Sequence, residues 1–449
     1  MAMTGMEIYK RLPKTNCKDC GFPTCLAFAM QVAAKQKAIT DCVHLSEESK
    51  AAFAESSEPP MRLIRIGPDG ESLVELGQET VMFRHEEKFH KPTAIAVKIP
   101  AALSDEEAQT RLQQINDAHF TRIGQEIAVR LAAVEIAGMA PEQAAARVTA
   151  LAEKSRVPFV LIGEEPDPMR AAVEAIAAKR PLIYRATAVN ADAFIEIASA
   201  AKCPLAVGGD SLEALADLTA KAKDKGLADL MLTFDGHKTG DTLRDLTRAR
   251  RAALRKNFRS LGYPAVLDVS MDIVTNEAFL AGTFAAKYAG IVMINGLDGG
   301  ELLPIMTVIQ NIYTDPQVPN TVEAKLYAIG DVSETSPVMF TTNFSLTYFS
   351  VEGEVERSKV PCYICVVDTE GLGVLNAYAG DKISPESVVK TLQEQAVADR
   401  VTHRRLIIPG LLPSFRAEIE DTSEWKEVII GPESAVGIPA FLTELAKSA

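Results

Sequence analysis

The chain has 449 residues, of which 47% are hydrophobic and 24% charged, and its formal net charge is −13 at pH 7. This length predicts two or three domains, and the composition is that of a folded rather than a disordered chain. The acidic excess argues against nucleic-acid binding, which needs a basic face. No apolar run reaches the roughly 18–20 residues that span a bilayer, and residues 1–11 lack the apolar segment of a signal peptide. We therefore expect a cytoplasmic protein without a membrane partner.

Four of the seven cysteines lie close together near the N-terminus. Cys17, Cys20 and Cys25 have the spacing C-x2-C-x4-C, and 16 residues separate Cys25 from Cys42. Iron–sulfur clusters are held by thiolates on a tight, glycine-bearing loop whose N–H groups point at the sulfides. A helix over residues 26–35 would carry the chain about 15 Å away, and an extended return of about 20 Å is within reach of the residues before Cys42. The pattern predicts a 4Fe–4S cluster on these four thiolates, with a structural zinc site or free buried thiols as the alternatives.

The other three cysteines are predicted to be structural. Cys362 and Cys365 lie in an apolar strand, where positions three apart face opposite sides of the sheet, so they cannot share a metal ion. Cys203 begins a short apolar strand and is expected to be a small core residue. One tight group of cysteines indicates metal ligation in a reducing compartment rather than a disulfide framework.

The middle of the chain alternates between strand and helix patterns. Residues 60–92 predict a small linker sheet with strands at 61–66, 73–76 and 80–84. Eight apolar strands are then expected at 94–99, 127–132, 158–162, 181–184, 204–207, 230–234, 265–269 and 290–294. Amphipathic helices are expected between them, for example at 141–154, 167–179, 211–225, 241–261 and 275–288. Eight strands that alternate with helices predict a parallel (β/α)8 TIM barrel.

In such barrels the chemistry lies on the loops that follow the strands. Here those loops contain residues 163–165, 208–210, 235–237, Asp268 and 295–296, which are rich in glycine and acids. Acids and asparagine could protonate or hold a heterocycle. Asp and Gly also cap helices and form turns, so a barrel that serves as a scaffold or docking surface is the favoured interpretation.

Residues 235–240 match D-x-H-x-x-G, the pattern with which many cobalamin proteins offer a histidine to cobalt. Only three of its six positions are fixed, so chance matches are common, and the other landmarks of that motif are not both present. The segment also follows a barrel strand instead of opening a small cobalamin domain. Cobalt ligation by His237 is therefore not expected.

From about residue 327 a second α/β series begins. A hairpin is expected at 338–342 and 346–355, followed by strands at 362–368, 405–408 and 427–430 and helices near 385–398, 413–419 and 434–446. This order predicts a small open parallel sheet of the doubly wound kind, which binds ligands beyond the carboxyl ends of its strands.

Three glycine-bearing loops are expected to meet at that edge, at 369–374, 409–411 and 431–434. Glycines let the backbone approach a flat ligand closely. A dinucleotide site is the rival, but Asn376 stands where its fingerprint needs a third glycine. The loops therefore favour a larger, mostly apolar macrocycle.

Residues 15–25, Thr-Asn-Cys-Lys-Asp-Cys-Gly-Phe-Pro-Thr-Cys, together with Cys42, the barrel and the C-terminal α/β region, resemble a known family. It is the large (gamma) subunit of the corrinoid iron–sulfur protein of the acetyl-CoA synthase/carbon monoxide dehydrogenase (Wood–Ljungdahl) pathway. The resemblance covers essentially the whole chain. It implies a 4Fe–4S domain at 1–58, a linker sheet plus a TIM barrel like that of pterin-dependent methyltransferases at 59–325, and a corrinoid-binding α/β domain at 326–449.

The resemblance implies that the four N-terminal cysteines are the cluster ligands. It also implies a cobalamin-type corrinoid bound base-off, with no protein histidine below the cobalt and no catalytic side chain. The C-terminal domain contains only His403, outside any D-x-H-x-x-G, which fits. The corrinoid contacts expected from the resemblance are Phe340, Thr341, Thr342, Asn343, Leu346, Glu370, Gly371, Leu372, Gly373, Val374, Gly410, Gly431, Pro432, Ser434 and Ala435.

The implied function is that of a corrinoid-dependent methyltransferase subunit in carbon fixation. The reduced corrinoid would accept the methyl group of methyltetrahydrofolate, held by a methyltransferase, and pass it to acetyl-CoA synthase, while the cluster would reduce Co(II) back to the active state. The implied partners are a small (delta) subunit in a heterodimer, that methyltransferase, acetyl-CoA synthase/carbon monoxide dehydrogenase, and an electron donor such as ferredoxin or a reductive activator. Two alternatives stay open: a barrel enzyme with its own substrate, motivated by Glu164, Asp210 and Asp235, and a redox subunit whose C-terminal domain binds a nucleotide.

Overall fold

A computed structural model of the chain describes residues 5–34, 36–46, 49, 59–70, 72–234, 238–270 and 276–448. The chain forms two units, one made of Met1–His119 and Ala128–Tyr313 and the other of Phe120–Ile127 and Thr314–Ala449. Within the described ranges, no helix combines the length and the apolar character that crossing a bilayer requires.

Two short helices, α1 (Gly5–Arg11) and α2 (Cys25–Ala33), enclose the loop that carries the first cysteines. Thr24 caps α2, because its hydroxyl accepts a hydrogen bond from the Ala27 N–H, one of the first-turn groups that has no partner inside the helix. The two helices pack around Phe28, which is fully buried. The helix predicted over 26–35 is confirmed as α2.

An antiparallel hairpin of β1 (Leu63–Ile66) and β2 (Val74–Gly77) precedes the barrel. Gly77 lies against Pro264, which directly precedes a barrel strand, so the hairpin sits at the amino-terminal end of the barrel. The third linker strand predicted at 80–84 is wrong. There the Glu86 carboxylate accepts hydrogen bonds from successive backbone N–H groups of residues 82–83, so a side chain replaces the neighbouring strand as their partner.

Eight parallel strands close into a barrel, in which each strand is paired with the barrel strands before and after it in the chain. After β3 (Ala94–Ile99) and α3 (Asp105–Asn116), a hairpin of β4 (His119–Arg122) and β5 (Gln125–Ala128) precedes β6 (Leu131–Glu135). The remaining barrel strands are β7 (Phe159–Ile162), β8 (Leu182–Ala186), β9 (Leu205–Gly209), β10 (Leu230–Phe234), β11 (Ala265–Asp268) and β12 (Ala289–Ile294). The helices are α4 (Pro141–Ala152), α5 (Pro166–Ile176), α6 (Ala191–Ala201), α7 (Leu212–Asp224), α8 (Thr239–Lys256), α9 (Glu277–Ala285) and α10 (Gly299–Ile312). The predicted (β/α)8 barrel is confirmed.

The second barrel strand lies further along the chain than predicted. The pattern at 127–132 predicts a strand, whereas β6 begins at Leu131. Ile123 and Gly124 both have positive φ, 52° and 65°, the conformation of the two-residue turns that join hairpin strands. Because the β4–β5 hairpin uses residues up to Ala128, the barrel strand starts after it.

The second unit contains a five-stranded sheet in the order β13-β15-β14-β16-β17, parallel except for the edge strand β13. Its strands are β13 (Leu326–Ile329), β14 (Val338–Thr342), β15 (Cys362–Val367), β16 (Arg405–Ile408) and β17 (Glu427–Ile430). Its helices are α11 (Ser345–Ser358), α12 (Val374–Ala379), α13 (Pro385–Glu394), α14 (Phe415–Thr422) and α15 (Ile438–Ser448). The predicted open parallel sheet is confirmed for β14 to β17, but the antiparallel edge strand β13 was not predicted.

The hairpin predicted at 338–342 and 346–355 is wrong, because its second half is helix α11. The parallel pairing of β14 with β15 needs a crossover connection, which a hairpin cannot supply. Ser345, Tyr348 and Val355 are buried at helical spacing. The aromatic and β-branched residues of this segment favour a strand only when their composition is considered without that spacing.

Candidate functional site

The four cysteines predicted to bind the cluster come from three pieces of chain. Cys17 and Cys20 lie in the loop between α1 and α2, Cys25 is the first residue of α2, and Cys42 follows a 3-10 turn, Ile39–Asp41. Cys25 and Cys42 are buried, Cys20 is half-buried and Cys17 is exposed. The group is therefore open to solvent at Cys17.

Left-handed backbone shapes the loop that carries these cysteines. Asn16, Lys18 and Gly21 have φ values of 49°, 70° and 82°. The Cys25 N–H donates to the Asn16 side-chain oxygen at 2.8 Å, and the Gly21 N–H donates to the Lys18 carbonyl at 2.8 Å. Loops with left-handed residues can turn N–H groups toward one side, which suits an anionic group.

The Cys42 thiol lies among the other three. Burial raises the pKa of Cys42 above its usual value, and the charges of Cys20, Cys17 and Cys25 raise it further. The charges of all three other cysteines therefore act on Cys42. Neighbouring thiolates repel each other unless a cationic metal group neutralises them, so this set of four thiols fits an iron–sulfur cluster.

A second set of metal-ligand atoms shares Cys17. The ligand atoms of Cys17, Asp19 and His44 lie within 4.8 Å of one another. His44 Nε2 is 2.6 Å from Asp19 Oδ2, and this hydrogen bond lowers the pKa of Asp19. Because only Cys17 belongs to both sets, the Asp19–His44 pair flanks the four-thiolate group at its exposed side.

The remaining cysteines occupy core positions, as predicted. Cys362 and Cys365 pack into the separate apolar clusters on the two faces of the C-terminal sheet. Burial raises the pKa of each of these two thiols to about 12. Cys203 is also buried, and burial raises its pKa to about 11. None of these three cysteines therefore offers a thiolate at neutral pH.

A cavity of about 480 Å³ opens at the carboxyl edge of the C-terminal sheet. It lies between the ends of β14 and β16, the loops after β16 and β17, and the first turns of α11 and α12. Its lining is mostly apolar and includes Met339, Val351 and Ile407. Leu346 and Leu375 also line it although they are 46% and 55% exposed, so they form an apolar rim. This is the crevice that the doubly wound pattern predicts.

Eight of the predicted corrinoid contacts line this cavity, namely Phe340, Thr341, Leu346, Gly373, Val374, Gly431, Pro432 and Ala435. Seven do not border it, namely Thr342, Asn343, Glu370, Gly371, Leu372, Gly410 and Ser434. The Thr341 hydroxyl is buried and has no hydrogen-bond partner within the described part of the chain. A buried hydroxyl without a partner costs free energy, so Thr341 is a group that a bound ligand can satisfy.

Sequence reasoning missed part of the lining. Thr347, Ser350 and Val351 on α11 border the cavity because they share one face of that helix. The signal was the helical spacing of the segment, which the strand interpretation overlooked. Ile407 and Ile408, the last residues of β16, also border the cavity and were missed because the prediction considered the loop after this strand and not the strand end.

Asn343 builds the loop after β15. Its side-chain oxygen accepts hydrogen bonds from the Thr369 N–H at 3.1 Å and the Gly371 N–H at 3.0 Å, and its amide donates to Asp368 at 2.8 Å. A β-carbon at Gly371, whose φ is 77°, would lie 2.7 Å from Pro319. Asn343 and Gly371 therefore determine the conformation of this loop, although neither residue borders the cavity.

Gly410 sets the distance between the loops after β16 and β17. A β-carbon there would lie 2.5 Å from the Gly431 carbonyl oxygen and 2.6 Å from the Glu433 nitrogen. These are backbone atoms, so they could yield only if a whole loop moved. Gly410 does not border the cavity, but it fixes the position of Gly431 and Pro432, which do.

His403 lies at the other edge of the sheet. Its Nε2 is 2.9 Å from the Ser336 carbonyl oxygen, and its Nδ1 accepts a hydrogen bond from the Arg405 N–H at 3.2 Å. Arg405 begins β16, so both ring nitrogens are engaged at the amino-terminal edge, whereas the cavity opens at the carboxyl edge. His403 is the only histidine in residues 314–449. The second unit therefore offers the cavity no imidazole ligand.

The carboxyl end of the barrel holds an ion-paired group in which the sequence reasoning found only Asp268. Lys98 Nζ lies 2.6 Å from Glu135 Oε1 and 3.1 Å from Asp268 Oδ2, and it donates to Ser270 Oγ at 3.1 Å. Burial lowers the pKa of Lys98, but the two carboxylates outweigh this effect and the pKa lies above its usual value. A mutually paired group of this kind favours a structural role. Lys98, the one charged residue in the otherwise apolar strand β3, could have indicated this buried ion-paired group from the sequence.

The other barrel loops also use their polar groups internally. Glu164 is paired with an arginine at 3.2 Å, and the Asn295 N–H donates to Glu277 at 3.0 Å. The D-x-H-x-x-G residues Asp235, Gly236 and His237 lie outside the described residues, so the expectation for His237 stays a prediction.

A larger concavity of about 840 Å³ lies at the amino-terminal end of the barrel. Its arginines are paired, with Arg62 and Arg180 both on Asp229 at 3.3 and 2.5 Å. In (β/α)8 enzymes this end contributes stability, and chemistry lies at the opposite end. We therefore assign no ligand to it, although it exceeds the C-terminal cavity in volume.

Comparison with known families agrees with this arrangement. A family model described as CO dehydrogenase/acetyl-CoA synthase delta subunit matches residues 63–442, and a second model, for an Fe–S cluster, matches residues 12–44. The two matches define a chain with an iron–sulfur segment ahead of a subunit of the acetyl-CoA synthase type.

The chain is 40% identical over 441 residues to the corrinoid/iron–sulfur protein large subunit of Moorella thermoacetica, with 98% of each chain covered. It is 35% identical over 460 residues to the acetyl-CoA decarbonylase/synthase complex subunit gamma of Methanothermobacter thermautotrophicus, with 99% of this chain and 100% of that one covered. The chain belongs to the family of corrinoid/iron–sulfur protein large subunits. Among solved structures, Yersinia pestis dihydropteroate synthase is similar with a TM-score of 0.37 and 12% identity, covering 55% of this chain and 98% of that one.

Proposed function

We propose that this chain is the methyl-carrying subunit of an acetyl-CoA synthase system, with a 4Fe–4S cluster on its four N-terminal cysteines and a base-off corrinoid at its C-terminal sheet. It would receive the methyl group of methyltetrahydrofolate through a methyltransferase and deliver it to acetyl-CoA synthase. The observation that carries the proposal is the mostly apolar cavity at the carboxyl edge of the C-terminal sheet, which no histidine of that unit reaches.

The cavity fits one side of a flat macrocycle. Its volume of about 480 Å³ and its apolar rim of Leu346 and Leu375 would take up the edge and one face of such a ligand, and leave the opposite face accessible. The buried Thr341 hydroxyl would donate to a polar substituent of the ring. The glycine-bearing loops after β16 and β17 would supply close backbone contacts.

When bound, the corrinoid would supply a cobalt centre that can take up and release a methyl group. The chain contributes the environment of that centre. His403 is held at the opposite edge of the sheet, so no imidazole of this unit would ligate the cobalt from below. The surrounding apolar residues, such as Val351 and Ile438, exclude water from one side of the ring.

The four N-terminal cysteines would hold a cluster that supplies single electrons, the chemistry needed to reactivate an oxidised corrinoid. Cys17 is exposed, so one edge of the cluster lies at the surface, where single electrons can enter and leave. Buried Cys25 and Cys42 shield the other side, and exposure and nearby charge are among the factors that set the potential of such clusters. The partners proposed are a small (delta) subunit, the methyltransferase, acetyl-CoA synthase/carbon monoxide dehydrogenase and an electron donor such as a ferredoxin or a reductive activator.

The proposal is tested by transfer of a labelled methyl group. The chain, assembled anaerobically with its small subunit and reduced chemically, is incubated with methyl-labelled methyltetrahydrofolate and the methyltransferase. We expect about one label per chain to stay with the protein and to be released by acetyl-CoA synthase. Cys42→Ser is expected to take up label after chemical reduction, but not to recover after oxidation when only a protein electron donor is supplied. Absence of protein-bound label in a corrinoid-loaded preparation would contradict the proposal.

A further inference from the structure

A side-chain hydrogen bond joins the first and the last parts of the cysteine group. Asp19 lies two residues after Cys17, and His44 lies two residues after Cys42. His44 Nε2 is 2.6 Å from Asp19 Oδ2, although these residues are 25 positions apart in the sequence. The hydrogen bond therefore connects the loop that carries the first cysteine with the chain that follows the fourth.

Each partner in this hydrogen bond also contacts a cysteine. Hydrogen bonds from His44 and from the Cys17 thiol lower the pKa of Asp19, and the ligand atoms of Cys17, Asp19 and His44 lie within 4.8 Å of one another. Burial raises the pKa of Cys42, and a hydrogen bond from the His44 N–H to the Cys42 sulfur opposes this effect. Cys17 and Cys42 are thus connected through Asp19 and His44.

This connection is compatible with a bound cluster. Cys17 releases its proton to solvent when it becomes a metal ligand, so it no longer donates to Asp19. The hydrogen bond between His44 and Asp19 does not use that proton. The His44 N–H does not use it either, and N–H groups also donate to the sulfur atoms of bound clusters. The two segments therefore stay joined when the cysteines bind iron.

The connection acts at the least protected of the four cysteines. Cys17 is exposed, whereas Cys25 and Cys42 are buried, so solvent and oxidants would reach the cluster at the iron held by Cys17. A contact that holds the Cys17 loop against residue 44 opposes loss of that iron. The Asp19 and His44 side chains are 51% and 48% exposed, so the effect is expected on the modest scale of surface pairs.

We infer that Asp19 and His44 are positioning residues that hold the exposed ligand Cys17 in place relative to Cys42, so that the cluster retains its exposed iron. The inference rests on the proposed cluster. The event that the pair opposes is oxidative loss of one iron. A 4Fe–4S cluster of charge +2 gives one electron to the oxidant, releases one Fe²⁺ and becomes a 3Fe–4S cluster of charge +1, and the Cys17 thiolate takes a proton from solvent.

The test measures formation of the 3Fe–4S cluster in the full chain, assembled anaerobically with its small subunit. Iron content is measured first, one equivalent of ferricyanide is added, and the paramagnetic resonance signal of the 3Fe–4S cluster is followed over time. His44→Ala removes the hydrogen bond to Asp19, and His44→Gln replaces it with one from an amide. Ser49→Ala is the matched control, because the Ser49 hydroxyl joins the same part of the chain to the Arg11 carbonyl, at 2.8 Å, rather than to the Cys17 loop.

We expect His44→Ala to form the 3Fe–4S cluster about threefold faster than the wild type, the scale of an exposed hydrogen-bonded pair, and His44→Gln and Ser49→Ala to stay within about 1.5-fold of it. Incomplete iron in His44→Ala together with full iron in His44→Gln would also support the positioning role. Equal rates in His44→Ala and Ser49→Ala, or a His44→Gln variant that behaves as His44→Ala does, would overturn it. The expected difference in protein that takes up no methyl group would contradict the proposed function and leave the positioning role standing.

Discussion

The Gly410→Ala substitution tests whether the spacing between the loops after β16 and β17 determines corrinoid binding. A β-carbon at Gly410 would lie 2.5–2.6 Å from backbone atoms of residues 431–433, whereas unstrained carbon contacts need about 3.5 Å. The two loops would therefore have to separate by nearly 1 Å, at a cost of about 1–3 kcal/mol. Gly431 and Pro432 line the cavity, so the same displacement should weaken corrinoid binding about tenfold, the equivalent of about 1.4 kcal/mol.

The assay combines urea unfolding of the corrinoid-free protein with a corrinoid titration followed by absorbance. Gly353→Ala is the matched control, because no atom lies within 4 Å of a β-carbon at that position in α11. It should raise the free energy of unfolding by about 0.5–1 kcal/mol, since glycine is unfavourable inside a helix, and leave the corrinoid Kd unchanged. A wild-type Kd in Gly410→Ala, measured on folded protein, would refute the reasoning that loop spacing shapes the site.

Thr341→Val should raise the free energy of unfolding of corrinoid-free protein by about 1 kcal/mol, because a buried, unpartnered hydroxyl is removed, and should weaken corrinoid binding several-fold. Thr342→Val is the control, since its hydroxyl is equally unpartnered but does not border the cavity, and it should stabilise the protein without changing the corrinoid Kd. Equal effects of the two substitutions on the Kd would contradict the assignment of Thr341 to the corrinoid site. Lys98→Met should lower the free energy of unfolding by about 3 kcal/mol, because Glu135 and Asp268 lose their buried partner. The iron and corrinoid content should stay unchanged. Loss of corrinoid from folded protein would argue against a structural role for Lys98. Burial in the fold raises the pKa of the Cys362 and Cys365 thiols from about 9 to about 12, so the stability they contribute is present below pH 9 and is lost as pH rises from 9 to 12. The loss is up to about 1.4 kcal/mol per pH unit for each thiol. In C362A/C365A the free energy of unfolding should fall less steeply with pH over this range, and equal pH slopes for the variant and the wild type would contradict the burial of these thiols.

The sequence predicts best what local chemistry determines. Cysteine spacing is a local property, and the charges of Cys17, Cys20 and Cys25 all act on Cys42, as expected for one ligand group. The barrel strands are apolar on both faces, because helices cover the outside and side chains fill the inside, so they are visible as short apolar runs. The count of eight strands was therefore reliable even where one of them was misplaced.

Features that depend on tertiary contacts escaped prediction. Lys98, Glu135 and Asp268 are distant in sequence and meet only because the barrel closes. Helix α11 contains aromatic and β-branched residues that resemble a strand, and its helical state follows from the parallel pairing of β14 with β15. Its misassignment removed Thr347 and Val351 from the predicted lining of the cavity.

The most direct test of the account is the metal content of anaerobically prepared protein assembled with its natural small subunit. We expect about four iron atoms, bound to Cys17, Cys20, Cys25 and Cys42, and one cobalt per heterodimer. The absorption spectrum should show corrinoid bands beside a broad iron–sulfur shoulder. The paramagnetic resonance signal of Co(II) should show no nitrogen superhyperfine splitting. Iron without cobalt would contradict the methyl-carrying role, and nitrogen splitting from a protein histidine would contradict base-off binding.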